Sequence, residues 1–380
     1  MAEQDKKPKM EKRARRFRWW AVVVMFAAPG LLGMLCIVSF RSVEEQLAAT
    51  NAARGVPDEE NAATIYSELA DHHEAVELGT FTLTIHPATS LTFQFWSSED
   101  HPEAVEWLQR HHAVISILKQ ASMKNKCWFG ISVDPIVLRQ HKNVIAAINF
   151  GTDLLIAAGN NDVAEGRIDA GLEKYLCVLQ IARHLRQQLL VRDLGAGLAL
   201  EAVALQSISR FVVEGPPQKT HLDIIEQALP TTKYNWDRDW QEVRHLQRLL
   251  EFRDRQRLLE WECFDPLTWL ELEPSSYDFA RWESEMHEFY DRALAHRRAT
   301  RIVVALRRYR HVEGRWPQML DDVKALAPDE MFVDPLNAGD FVYQVTDENF
   351  RLYSKGRNNI DEGGRRESGA NDWPIWPPEW

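Results

Sequence analysis

Apolar and polar positions follow a helical period through most of this chain and a period of two near its end. One early stretch has no period at all. Residues 19–40 read WWAVVVMFAAPGLLGMLCIVSF, without a single charge. A helix rises about 1.5 Å per residue, so about 20 such residues cross the hydrocarbon of a bilayer. Lipid offers the backbone no water, which leaves a helix as the form of the run. The pattern therefore predicts a transmembrane helix over 19–40. Trp19 and Trp20 suit the interfacial belt, and Pro29-Gly30 a mid-span kink.

Residues 42–75 predict two helical pieces broken at Gly55-Val56-Pro57, the second opening on Pro57 with Asp58, Glu59 and Glu60 in its first turn. Residues 79–96 are strand-like, either a hairpin or an ordered loop, with a turn at His86-Pro87. Helices are expected over 102–124, 134–158, 162–189, 191–214, 219–229 and 236–262. Pro135 and Asp162 are their candidate starts and Gly215 a stop. Val163, Ile168, Leu172, Leu176 and Leu179 give one apolar face. The charges of 236–262 read as a solvated face.

After a connector at 263–277, a long helix is expected over 277–311, striped by Phe279, Trp282, Met286, Phe289 and Ala293 and stopped by Gly314. A short helix at 317–327 follows. Residues 341–345 and 350–354 then alternate as a hairpin that buries Phe341, Tyr343 and Val345. The fold class is thus mainly α: an N-terminal transmembrane helix, a helical body over 42–262, and a small α+β C-terminal module with a β-hairpin over 278–373. Residues 374–380 form a tail rich in proline and tryptophan. Its prolines favour extended polyproline form, and it is free to dock on its own domain, on a partner or at a membrane interface.

Charge sets the orientation. The net charge is -11, yet residues 1–18 carry eight Lys or Arg against three acids, a basic cytoplasmic tail of +5 that leaves -16 on the remainder. The positive-inside rule places the tail in the cytoplasm and the bulk of the chain outside it, so the expected localisation is the cell membrane, single-pass. An acidic body argues against nucleic acid as a partner. Only 4 cysteines in 380 residues exclude a disulfide scaffold.

Catalytic motifs do not emerge. His72-His73, His111-His112 and His287-Glu288 lack H-E-x-x-H spacing, and no P-loop, G-x-S-x-G or G-x-G-x-x-G occurs. Cys177 lies in an apolar helical pattern and reads as a small buried hydrophobe. GRIDAGLEKYLCVLQIA is similar to the first helix of a tetratricopeptide repeat but has no second copy at a fixed period. The loop after the hairpin is richer. Asn358, Asn359, Asp361, Glu362, Glu367, Asn371 and Asp372 concentrate oxygen donors between Gly356, Gly363 and Gly364. Calcium takes six to eight oxygens in flexible geometry. Asx hydrogen bonds alone would also order such a turn.

The succession ALRRYRHVEGRWPQMLDDVKAL, then DP, FVYQV, YSKGRNNIDEGG and NDW resembles the C-terminal half of the major pseudopilin of type II secretion. The likeness covers residues 300–373. It implies a long helix, a Gly-x-Trp-Pro turn, an Asp-Pro turn, a short sheet and a calcium-binding loop with Asn358, Asp361 and Asp372 as ligands, completed by carbonyls. Arg18-Trp19-Trp20 stands where that family carries its leader motif. The expected function is a membrane-anchored extracytoplasmic protein making structural or protein contacts in the envelope. An extracytoplasmic hydrolase with a site formed only in three dimensions, and a secretion-system component, are the alternatives.

Overall fold

The computed structural model describes residues 43–72, 74–75, 91–229, 236–261, 279–346, 348–365 and 371–378. The run at 19–40 expected to cross a membrane, most of the stretch at 79–96 expected to be strand-like, and the connector lie outside them. The chain divides into two compact units, residues 1–55 with 247–272, and residues 56–246 with 273–380. In the first unit, helix α1 (43–54) buries Val43 and Leu47.

The second unit is built of helices with a small sheet at its C-terminal end. Its helices are α2 (Ala62–Tyr66), α3 (Pro102–Arg110), α4 (His112–Ser122), α5 (Pro135–Ala164), α6 (Ile168–Arg186), α7 (Val191–Glu214), α8 (Lys219–Ala228), the first part of α9 (Trp236–Trp261), and α10 (Phe279–Glu313). α6 packs against both α5 and α7, and α7 packs on α10. Among the described residues, α7 alone is long and apolar enough to cross a membrane, but it is mostly buried inside the protein as a core helix.

Local chemistry explains where these elements begin and end. Asn61, rather than Pro57, caps the second N-terminal piece, its side chain accepting from the Ala63 N–H. The stretch expected as one helix over 102–124 breaks at His111, whose buried ring lies edge-on to Trp107 and Phe150. Asp162 does not start a helix. α5 runs through it to Ala164, because the Asp162 carboxylate is held by Arg167 and Lys174 and the break falls at Gly166, with φ +77. α5 and α6 cross where glycines let backbones meet. A methyl group on Gly171 would lie 2.9 Å from the Gly159 carbonyl oxygen.

The sheet has three antiparallel strands in the order β1 (Val342–Val345), β2 (Phe350–Ser354), β3 (Trp373–Trp376). The expected hairpin is β1–β2, with Val345 opposite Phe350. β3 comes from the stretch whose prolines favour polyproline form. Pro374 is tolerated because β3 is an edge strand and needs no ladder donor there. The expected short helix is a 3-10 helix, Leu320–Leu326, whose Asp322 reaches back to accept from the Gln318 and Met319 N–H groups. Helical body and sheet share one hydrophobic core, running from Tyr66, Ile148 and Tyr175 through Phe211 and Ile302 to Phe350 and Trp376.

One carboxyl in α5 works against the fold. Burial pushes Asp153 from 3.8 up to about 6, and no described residue pairs with it. A carboxyl whose pKa rises on folding is harmless while protonated and costs stability as pH climbs through that window. Asp153→Asn is therefore expected to raise urea-unfolding stability by about 2 kcal/mol at pH 7. The gain should shrink to nothing as the pH falls toward 4.

Candidate functional site

The C-terminal module is assembled on the end of α10. Gly314, with φ +72, ends the helix, and the next residues turn the chain back. Trp316 is buried there, its Nε1 donating to the Glu348 carbonyl at 3.1 Å, its ring edge-on to Phe350 and under the Arg310 guanidinium. The Tyr343 hydroxyl donates to the Pro317 carbonyl at 2.9 Å, tying β1 to the same turn.

Asp334 organises the Asp-Pro turn. It is fully buried and accepts from the Leu336 N–H, the Asn337 amide and the Ser354 hydroxyl. Burial raises its pKa, and these donors oppose the rise. Asn337 also donates to the Gly356 carbonyl at 2.9 Å, so the turn is clamped to the start of the glycine-rich loop.

The loop is folded around its own carboxylates. Asp361 Oδ1 accepts from the Tyr353 hydroxyl at 2.8 Å and the Gly363 N–H at 2.9 Å. Glu362 Oε2 accepts from the N–H groups of Asn371 and Asp372. Asp372 Oδ2 accepts from the N–H groups of Glu362 and Gly364, at 2.9 and 2.7 Å. Asn358 is exposed. Its Oδ1 accepts from the Ile360 N–H and its amide donates to Glu362. Of these side chains Asp372 is buried, Glu362 half-buried, and Asp361 and Asn358 exposed.

Asp372 stands apart in one respect. It is 1% exposed, and its Oδ1 is buried without a hydrogen-bond partner among the described residues. Burial raises its pKa first, and the negative charges of Glu362 and Asp361 add to the rise. A buried acceptor left unmade is costly, so a cation or a proton is the natural complement of this oxygen. Among the described residues no three His, Cys, Asp or Glu side chains converge as a metal-ligand set. An ion here would rest on Asp372, with main-chain oxygens making up most of its shell.

Elsewhere the titratable groups are tied into the scaffold. Burial pushes His184 down to about 4. Neutral, it donates from Nε2 to the Lys124 carbonyl at 2.8 Å and accepts on Nδ1 from the Tyr66 hydroxyl at 3.0 Å. His221 bridges Asp169 and the Gln218 N–H at the start of α8. Burial raises the Cys127 and Cys177 thiols, the latter to about 11, so both stay protonated at neutral pH. The tail docks on its own module. Trp373 Nε1 donates to His296 at 2.8 Å under Arg292, and Trp376 is buried with its Nε1 on Asn349. Trp380 lies outside the described residues.

Sequence patterns give no sign of the most charged part of the interior. Glu201 on α7, 1% exposed, accepts from Arg186 Nη1 of α6 at 2.8 Å and from Arg297 Nε of α10 at 2.8 Å. Burial pulls the Arg297 guanidinium down to about 9, and Glu201 resists that pull. Close by in sequence, Arg183 and Arg301 reach the Ala228 and Leu229 carbonyls at the end of α8. The one available signal was weak: two arginines in the last turn of α6, a turn that looks solvated in a pattern of this kind.

No family model matches this chain, and no curated protein or solved structure matches it either.

Removing the Glu201 charge takes away the carboxylate shared by the buried Arg297 and the half-buried Arg186. Glu201→Gln is expected to cost about 3–5 kcal/mol in chemical denaturation. The triple variant Glu201→Met with Arg186→Met and Arg297→Met, which replaces the whole ionic set, should recover much of that loss.

Proposed function

We propose that this protein is a single-pass, membrane-tethered protein of the cell envelope, whose extracytoplasmic helical body and pseudopilin-like end serve contacts with other proteins. The tether is residues 19–40, uncharged over a length that spans hydrocarbon and preceded by a +5 tail. The observation that carries the proposal is the order of parts at the C-terminal end. A long helix, the Gly314–Pro317 turn, the Asp334-Pro335 turn, an antiparallel sheet and the Asp361–Asp372 loop succeed one another there. That is the order of parts in the pseudopilin module. Its pieces are fastened to α10, so the module is presented on a rigid support and not on a linker.

Tethering predicts that the full chain stays in the membrane pellet after alkaline carbonate extraction. A periplasm-dependent reporter fused after Trp380 should be active, and a cytosol-dependent one silent. Extraction into the supernatant, or the reverse reporter pattern, would reject the topology.

A calcium ion in the C-terminal loop is part of the same likeness. Asp372 would hold it with Asp361 and Asn358 at the loop edge, and the ion would supply the positive charge that Asp372 Oδ1 lacks. Binding to the folded form alone raises stability by about 2.7 kcal/mol at a hundredfold excess over Kd. Calorimetry of the full chain should show that rise with calcium and not with magnesium. Asp372→Asn should abolish it while keeping the melting temperature measured in chelator within a few degrees.

A further inference from the structure

The N-terminal end of α5 stands clear of the core. Its first buried residue is Val144, so Pro135–Asn143 contribute none. Residues 135–140 are exposed throughout, about 9 Å of helix at a helical rise, before His141 packs on the body. A projecting helix end has every reason to be polar, yet this one begins Pro135-Ile136-Val137-Leu138. Ile136 is 69% exposed, Val137 45% and Leu138 38%, and they are the only exposed large apolar residues that adjoin one another in sequence among the described residues. The Asp134 carboxylate caps the helix by accepting from the Ile136 N–H at 2.7 Å. The projection is held in place at its second turn, where His141 Nε2 meets both Asp193 oxygens, at 3.0 and 2.8 Å. That contact brings the start of α7 alongside.

The charges around the apolar turn are mainly positive, with the capping Asp134 the one exposed acid in this stretch. Arg139, Lys142 and Arg192 are exposed, and none forms an ion pair among the described residues. Asp193, the acid beside Arg192, is buried on His141. Between Ile131 and Phe150 the sequence carries Asp134 as its only acid. A basic, apolar projection on a strongly acidic chain is the composition that partitions into an anionic bilayer surface. The apolar side chains enter the headgroup–acyl boundary, and the cations meet lipid phosphates.

We propose, resting on the tethered topology above, that the N-terminal turns of α5 are a lipid-contact site. Ile136, Val137 and Leu138 insert into the leaflet in which the chain is anchored, and Arg139, Lys142 and Arg192 bind anionic headgroups. The body then has two attachments to one membrane and a defined orientation on it, in place of free swinging on its tether.

The test uses the full chain reconstituted in vesicles of phosphatidylethanolamine with one quarter phosphatidylglycerol. A photoreactive p-benzoylphenylalanine replaces Val137 in one preparation and Val312, an exposed residue at the far end of α10, in another. Irradiation should attach lipid at 137 about tenfold more than at 312. Arg139→Gln with Lys142→Gln and Arg192→Gln should remove most of that excess, as should vesicles of phosphatidylcholine alone. Equal lipid attachment at the two positions overturns the proposal. So does attachment at 137 to a second copy of the chain or to a distant part of the same chain. Carbonate washing of the same vesicles separates the two ideas. Chain retained without lipid attachment at 137 rejects the contact and leaves the tether standing. Chain washed off after attachment at 137 supports the contact and rejects the tether.

Discussion

Burial of the Glu201 carboxylate between Arg186 and Arg297 is the constraint on which the rest of the fold depends. These three side chains come from α6, α7 and α10, so one ionic contact sets the relative placement of the central helices and of the helix that carries the sheet. Taking such charges out of water is expensive, and the cost is recovered only when each finds its partner. An arrangement that slides any of the three helices by a turn forfeits that pairing. The apolar core around it tolerates small shifts far better, because hydrophobic contact is not directional.

Through α10, that constraint reaches the C-terminal module. The sheet packs its Phe350, Leu352 and Trp376 into the core that the helices share, and Trp373 fastens β3 to His296 on α10. The glycine-rich loop therefore hangs from a frame that is rigid on both sides, at β2 and at β3. Asp334 and Asp372 play comparable parts in it. Asp334 accepts from one backbone N–H and two side-chain donors through both oxygens, and Asp372 accepts from two backbone N–H groups through one oxygen. The first turns of α5, by contrast, leave Ile136, Val137 and Leu138 exposed, while the rest of that helix is built into the core.

Much of this was legible residue by residue. α7 spans 191–214 as its apolar period requires, and the β1–β2 hairpin falls where alternation begins at Phe341. Capping and turn residues set boundaries less simply. Asp162 looks like a helix start because aspartate favours that position in isolation. Pairing with Arg167 and Lys174 made it part of the preceding helix. β3 escaped notice because prolines argue against a strand, an objection that lapses at a sheet edge. Of the three loop residues implied by the likeness to pseudopilins, Asp372 is buried and Asn358 and Asp361 are exposed.

By itself, the sequence determined the places where helix and strand form, the uncharged run at 19–40 and the acidic balance of the chain beyond that run. These are consequences of local spacing and of charge counting, and they need no knowledge of what packs on what. Only the tertiary structure decided which charges are buried, which oxygen lacks a partner and which apolar residues stay in water. Glu201 and Arg297 are separated by 96 positions, and nothing near either one in the chain distinguishes it from the many solvated charges around it. Burial is a property of the assembled packing, so it becomes visible only when distant helices are in place.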